Sequence, residues 1–362
     1  MRQTLVIRSA ITSVLLTLRP VRARLNMVKT KKFILAKHFQ GEPKESDLQL
    51  VEEELPPLKD GEILCEAVWL SVDPYMRPYT ARLPTGITMI GSQVGKIIES
   101  RNKGFPVGKY VLGYLGWQTK TIHNPQQPSS STMAPTYLLP DFGELPLSLA
   151  LGVLGMPGNT AYFGFLEICQ PKAGEVVVVS GAAGAVGSLV GQIARIKGCK
   201  VIGFAGSDDK VRWLKDDLHF DAAYNYKKTD VDTALKEAAP NGVDCYFDNV
   251  GGVMSSTVLS HMNPRGRISV CGSISSYNAD AKQLPSAPVV QPSLVFKELK
   301  MEGFIVHRWL DRWMEGIHQM KDWVKNKELV YRETVTEGFE NMPKAFIGML
   351  RGENTGKAVV KA

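Results

Sequence analysis

The stretch EVVVVSGAAGAVGSLVGQIARIKG, residues 175–198, decides the fold. Its opening run of valines is the pattern of a strand buried on both faces of a parallel sheet. A turn of glycine and alanine follows, and then a helix whose apolar positions include Val186, Val190, Ile193 and Ala194. A helix start in that setting offers unpaired N–H groups carrying about half a positive charge, which stabilise a pyrophosphate. Gly184 and Gly187 permit its close approach, while Ala182 stands where the first glycine of GxGxxG would be.

Outward from this unit the alternation continues. CKVIGFAGS reads as a second strand, followed by a helix near 209–218, a strand at AAYNY, a helix near 230–239, a strand at VDCYFDNVGG, a helix near 253–262 and a strand at RISVCGS. Strands alternating with amphipathic segments predict a doubly wound α/β sheet. A proline-rich loop at 279–292 then leads to MEGFIV and a helix near 310–326. From Arg332 the chain reads strand, helix and strand, with Pro343 suited to a first helical turn, and this segment is expected to return to the first domain. Upstream, EILCEAVWLSV and the glycine-punctuated runs MIGSQVGKIIES and GKYVLGYLGWQ predict a small barrel-like β domain, and residues 123–140 a loop.

Composition limits the function classes. At 362 residues two domains are expected, and 44% hydrophobic with 22% charged residues excludes a disordered or fibrous chain. The net charge of +7 comes largely from Arg2, Arg8, Arg19, Arg22 and Arg24, which leave 38 basic against 36 acidic residues beyond position 26. Such a body has no basic footprint for nucleic acid. The five cysteines are at least 26 residues apart and the six histidines form no HxxxH pair, so neither a disulfide framework nor a zinc site is expected. Residues 1–26, Arg-rich and acid-free, read either as a mitochondrial presequence, placing the protein in the matrix, or as an extension preceding a start at Met27, leaving a cytoplasmic protein. The uncharged run at 9–18 is shorter than the roughly 20 apolar residues of a membrane span, so no membrane partner is expected.

Coenzyme choice is read at the second strand's end. An NAD-preferring fold places an acid there for the ribose 2′-hydroxyl, whereas this strand ends Phe204-Ala205-Gly206-Ser207. Lys210 could pair with a 2′-phosphate and Tyr226 hydrogen-bond it; the alternatives are a solvated lysine and a core tyrosine. Asp208 and Asp209 read as helix-start residues. NADP(H) is therefore expected. Asn249 and the stretch Cys271, Gly272, Ser273, Ile274, Ser275, Ser276 and Tyr277 follow the fourth and fifth strands, where ligands of open α/β sheets collect. Cys271 itself reads as a small buried residue without a reactive role.

VDPYMR (72–77), GMPGNTAYFG (155–164), AAGAVGS (182–188), GCKVIGFAGSDDK (198–210), CYFDNVGG (245–252), CGSISSYN (271–278), GFENMPKAF (338–346) and the ending GKAVVKA together resemble the prostaglandin reductase family. Its members are also called leukotriene hydroxydehydrogenases or alkenal reductases, and they are zinc-free medium-chain reductases. The resemblance runs from Met27 to Ala362. It implies a Rossmann doubly wound parallel sheet at 154–331, a GroES-like β-barrel domain from 27–153 and 332–362, and a homodimer. It implies NADPH-dependent reduction of 15-oxo-prostaglandins, enones and 2-alkenals, small lipid or aldehyde substrates, and in some members oxidation of a leukotriene hydroxyl. Carried over by motif, the cofactor contacts are Gly184, Ala185, Val186, Gly187, Ser188, Lys210, Tyr226, Asn249, residues 271–277, Phe304, Ile305, Val306 and Asn354. One departure stands out: the family commonly has a tyrosine where this chain has Phe296, which leaves the proton donor unassigned.

An enone accepts hydride at its electron-poor β-carbon, and the resulting enolate needs hydrogen-bond donors at oxygen and a proton at the α-carbon. Tyr75 in VDPYMR and Tyr277 are the candidate catalytic donors, with Arg77 as a further partner; the alternative is that each is an ordinary packed or surface residue. A quinone reductase of the same superfamily and a non-catalytic NADPH-binding protein are the rival functions.

Overall fold

The computed structural model describes residues 27–127, 134–279 and 285–362. The N-terminal extension, part of the 123–140 loop and part of the 279–292 loop lie outside them.

The valine run forms strand Val176–Val179, one of the two central strands of a six-stranded, wholly parallel sheet. Its spatial order is Ala222–Asn225, Lys200–Ala205, Val176–Val179, Val243–Asp248, Met262–Val270 and Lys300–Gly303. In chain order this is 3-2-1-4-5-6, so the direction of winding reverses between the first and fourth strands, and a crevice opens at their carboxyl ends. Val177, Val178 and Val179 are wholly buried, as strands covered by helices on both faces require. Helix Gly187–Ile196 lays Val190, Ile193 and Ala194 against that sheet, also fully buried.

Several elements differ from the sequence reading: within the expected 123–140 loop, Tyr137–Leu138 forms a short strand paired with Val111 and Leu112. The helix near 209–218 is a short α-helix, Asp208–Arg212, that widens into a π-type turn at Trp213–Asp217. The helix near 253–262 ends at Ser260, and the next strand already begins at Met262, because Val243 pairs with Met262 before the register shifts. At the end of the 279–292 stretch read as a loop, Gln291–Phe296 forms a helix with Pro292 in its first turn, where a missing N–H costs nothing.

The other sheet curls. Strand Ile63–Ser71 pairs antiparallel with Gln93–Ser100 along one side and, on the other, with Lys120–His123 at its start and Lys357–Lys361 at its end. Tyr110–Gly113 and Tyr137–Leu138 extend one edge and Glu333–Glu337 the opposite one. The last thirty residues thus join a sheet begun near residue 63. Ahead of it, Val28–Leu35 and Leu48–Leu55 form an antiparallel pair in which Lys31 faces Glu52 and Lys29 faces Glu54. One apolar core runs through both sheets, taking in Val94, Leu112 and Val359 from the curled sheet and Val177, Phe247 and Ala205 from the parallel one. No helix among the described residues is long and apolar enough to cross a membrane.

Candidate active site

The glycine turn sits at the switch point. A Cβ on Gly187 would lie 2.4 Å from the Gly181 carbonyl oxygen and 2.9 Å from Cα of Ala182, so no side chain fits while the turn keeps this shape. Gly184 donates its N–H to the Gly181 oxygen and accepts from the Ser188 N–H, closing the turn around residues 181–188. Ala185 and Val186 are partly exposed at its tip, and Ser188 is buried beneath it. The C-terminal chain reaches the same turn, since Gly356 donates to the Ala183 oxygen at 2.8 Å. Asn354 supports this crossing by donating its Nδ2 to the Gly356 oxygen.

Beside the turn, Asn249 donates Nδ2 to the Ser180 carbonyl at 2.7 Å and its own N–H to Ser180 Oγ at 3.0 Å. Buried Asp248 holds the loop below it: its Oδ1 accepts the Tyr246 hydroxyl and the N–H groups of Val250 and Gly251. Residues 271–277 are laced to this loop, with Cys271 and Gly272 donating to Asp248 O, Ile274 to Asn249 O and Ser275 to Val250 O. Ser273 and Ser276 bond one another through their hydroxyls. Burial pushes the Cys271 thiol up to about 12, so it stays protonated and unreactive at neutral pH. Phe304 packs its ring against Gly164, where a Cβ would strike it, and remains partly exposed. Val306 is buried and Ile305 exposed.

At the second strand's end the cationic side chains converge. Lys210 donates Nζ to the Gly352 oxygen at 2.6 Å, and burial and the charge of Lys227 both lower its pKa. A Cβ on Gly206 would lie 3.2 Å from the Tyr226 hydroxyl and 3.6 Å from Cε of Lys227. The nearby carboxylates are engaged elsewhere: Asp208 with Asn225 and Lys228, Asp209 with Arg212. Two ammonium groups and a phenol, with no free acid, suit a dianionic phosphate. Lys227 was not singled out in the sequence, although YNYKK at a strand end carried the signal.

Across the crevice lies the loop that bears Tyr75. Its floor is a buried ion pair, Lys357 Nζ to Asp73 Oδ1 at 3.0 Å, both side chains about 5% exposed or less. The same ammonium donates to the carbonyls of Val72 and Ala358, and Asp73 also accepts the Ser71 hydroxyl. Tyr75 then packs edge-on against Tyr79, with ring centroids 5.2 Å apart. Burial, reinforced by the Asp73 charge, raises the Tyr75 hydroxyl well above its ordinary value. Tyr277, in the facing loop, has its oxygen accepting the Ser273 N–H at 3.2 Å; burial raises its pKa, and it lies near enough to Tyr79 to be influenced by it. Both tyrosines therefore remain O–H donors at neutral pH. Arg77 does not join them: its guanidinium donates to the carbonyls of Phe39 and Gly41 and lies over the Phe39 ring, fastening a neighbouring loop. Phe296 is 86% exposed on helix Gln291–Phe296.

A doubly wound sheet with a glycine turn at its switch point, set against a curled sheet that supplies the facing wall, defines the class of medium-chain dehydrogenase/reductases. Family models agree: "N-terminal domain of oxidoreductase" matches residues 31–130 and "Zinc-binding dehydrogenase" residues 185–322. Prostaglandin reductase 1 of Bos taurus is 52% identical over 93% of this chain and 100% of its own length. An NADP(+)-dependent 2-alkenal reductase of Nicotiana tabacum is 39% identical over 92% of this chain and 97% of its own. The crystal structure of CurA from Vibrio vulnificus in complex with NADPH superposes with a TM-score of 0.84 at 39% identity, covering 92% of this chain and 99% of that one. The chain belongs to the prostaglandin reductase family. Among the described residues no three His, Cys, Asp or Glu side chains are grouped to hold a metal ion.

Proposed function

We propose that this protein is an NADPH-dependent reductase of the carbon–carbon double bond in α,β-unsaturated ketones and aldehydes, 15-oxo-prostaglandins and 2-alkenals among them. The observation that carries this reading is the placement of protonated Tyr75 and Tyr277 on the two walls of the crevice that holds the glycine turn. The names of the Bos taurus and Nicotiana tabacum relatives support the substrate class, and the NADPH bound by CurA supports the coenzyme.

Residues 181–188 and Asn249 would hold the pyrophosphate and nearby ribose, and Lys210, Tyr226 and Lys227 the 2′-phosphate. The stretch 271–277, Phe304, Ile305, Val306 and Asn354 would frame the rest. When bound, NADPH supplies the hydride that the β-carbon accepts. Tyr75 and Tyr277 donate hydrogen bonds to the substrate oxygen, where negative charge develops, and these bonds strengthen in the transition state. The reading takes the domains as 27–153 with 332–362, and 154–331, with this chemistry between them.

The test follows NADPH absorbance in purified protein with an enone, an enal and a quinone offered separately. Consumption with the first two is expected. Consumption with the quinone alone, or tight NADPH binding without consumption by any of the three, rejects the assignment.

The same reading includes a homodimer through the outer strand Lys300–Gly303. Among the described residues this strand is an outer edge of the parallel sheet, and Val289, Val295, Phe296, Met301 and Ile305, on it or close to it in the chain, are exposed. Open edges and contiguous apolar patches are covered in stable proteins. Sedimentation equilibrium should give twice the chain mass, and Phe296→Asp should halve it; a monomeric wild type at micromolar concentration defeats this assembly.

A further inference from the structure

One polar atom of the substrate wall is left over. The hydroxyl of Tyr114 is buried and has no hydrogen-bond partner, although its residue follows directly on strand Tyr110–Gly113 and belongs to the loop packed beside Tyr75. That neighbourhood is crowded. A Cβ on Gly91 would lie 2.9 Å from both Met76 Cε and Trp117 Nε1, so the residue after Tyr75 and the residue three beyond Tyr114 meet over the same glycine. Tyr114 and Tyr75 lie near enough that each influences the other's ionisation, yet their hydroxyls are not joined by a bond of good geometry. Burial is the largest cause holding Tyr114 protonated, above its ordinary value. Of the acceptors close enough to influence this buried donor, the Asp73 carboxylate is already held by Lys357 and Ser71, and the Tyr75 oxygen is the one that belongs to a candidate donor to the substrate.

We propose that Tyr114 is a positioning residue for the reduction, its hydroxyl donating to the oxygen of Tyr75 when the Tyr75 proton engages the substrate carbonyl. A phenol that accepts a hydrogen bond becomes a stronger donor, since each bond in a chain polarises the next. In this arrangement Tyr114 never touches the substrate. It fixes the rotation of the Tyr75 O–H and increases its pull on the developing enolate, so its influence exists only while Tyr75 keeps its hydroxyl. This inference rests on the enone reductase function proposed above.

A double-mutant cycle separates the possibilities. With an enone as substrate, Tyr114→Phe should lower kcat about fivefold, which is about 1 kcal/mol, with the KM for NADPH unchanged. In the Tyr75→Phe background the same change should cost nothing further. The midpoint of thermal unfolding of Tyr114→Phe should equal or exceed that of the wild type, because the hydroxyl removed had no partner in the resting protein. Wild-type kcat in Tyr114→Phe overturns the proposal, as does an equal fivefold loss in both backgrounds. A fall of several degrees in the unfolding midpoint also overturns it, by showing that the hydroxyl serves the fold. Failure of the wild-type protein to turn over any enone strikes the proposed function instead, and is read from the parent enzyme before any variant is made.

Discussion

The two walls of the crevice are specified in different ways. On the coenzyme wall, strand Val176–Val179, the turn and helix Gly187–Ile196 are contiguous in the chain, and the shape of the turn is enforced by its own backbone, as the 2.4 Å approach at Gly187 shows. On the substrate wall the loop carrying Tyr75 is anchored by Lys357, which the chain delivers from 284 residues further on. One wall is a local motif and the other a product of closing the fold. Damage to the first should therefore be confined to coenzyme binding, while damage to the second should spread to stability.

The largest effect tests that spread. Lys357→Met removes a buried ammonium and leaves the Asp73 carboxylate with only the Ser71 hydroxyl to stabilise it. Breaking a buried pair by deleting one partner costs about 3–5 kcal/mol. Denaturant unfolding at neutral pH should show a loss of that order, and pairing the change with Asp73→Asn should recover part of it. A cost within about 0.5 kcal/mol, the range of an ordinary surface substitution, would mean that the substrate wall is not held from the chain's end.

Next comes the local wall. Gly187→Ala places a methyl group against the Gly181 carbonyl and Cα of Ala182, backbone atoms that cannot swing aside. The turn must open, and the amides that would face a pyrophosphate lose their alignment. NADPH affinity, followed by the coenzyme's fluorescence, should fall about a hundredfold, or about 2.7 kcal/mol, while the parallel sheet persists by circular dichroism. Wild-type affinity would break the claim that the shape of this turn makes the site.

The same contrast explains what could be read before any coordinates. Periodicity and a glycine turn are short-range signals, so the first strand, its helix and the alternation that follows were legible, as was the bare end of strand Lys200–Ala205. The pair Val28–Leu35 and Leu48–Leu55 was not, because LQLVEEEL lacks a strand's apolar alternation; its acids find their reason only across the ladder, opposite Lys31 and Lys29. Helix Gln291–Phe296 was missed where it begins, at the end of a stretch whose prolines suggest a loop. Asp73 and Lys357 are unremarkable in sequence, and nothing short of the closed sheet brings them together. Tyr114 gives no local signal either, since its meaning lies in which partner it lacks.

The smallest effect sharpens the coenzyme wall itself. Lys210 has two tasks under this reading: its ammonium bonds the Gly352 carbonyl, and it lies close enough to Lys227 to feel its charge, beside the Gly206 end of the strand where Tyr226 and Lys227 would meet a 2′-phosphate. Lys210→Ala removes both, so an affinity measured for one coenzyme alone confuses them. The loss through Gly352 is common to NADPH and NADH, because neither the loop nor its carbonyl distinguishes them, and it cancels in their ratio. Loss of a charge partner to the phosphate falls on NADPH only. The wild type should prefer NADPH at least tenfold, about 1.4 kcal/mol, and Lys210→Ala should erase most of that preference, with Lys227→Ala eroding it less. Paired titrations of both coenzymes decide it: a ratio unmoved by Lys210→Ala would assign the lysine to the Gly352 contact and leave discrimination to Tyr226 and Lys227.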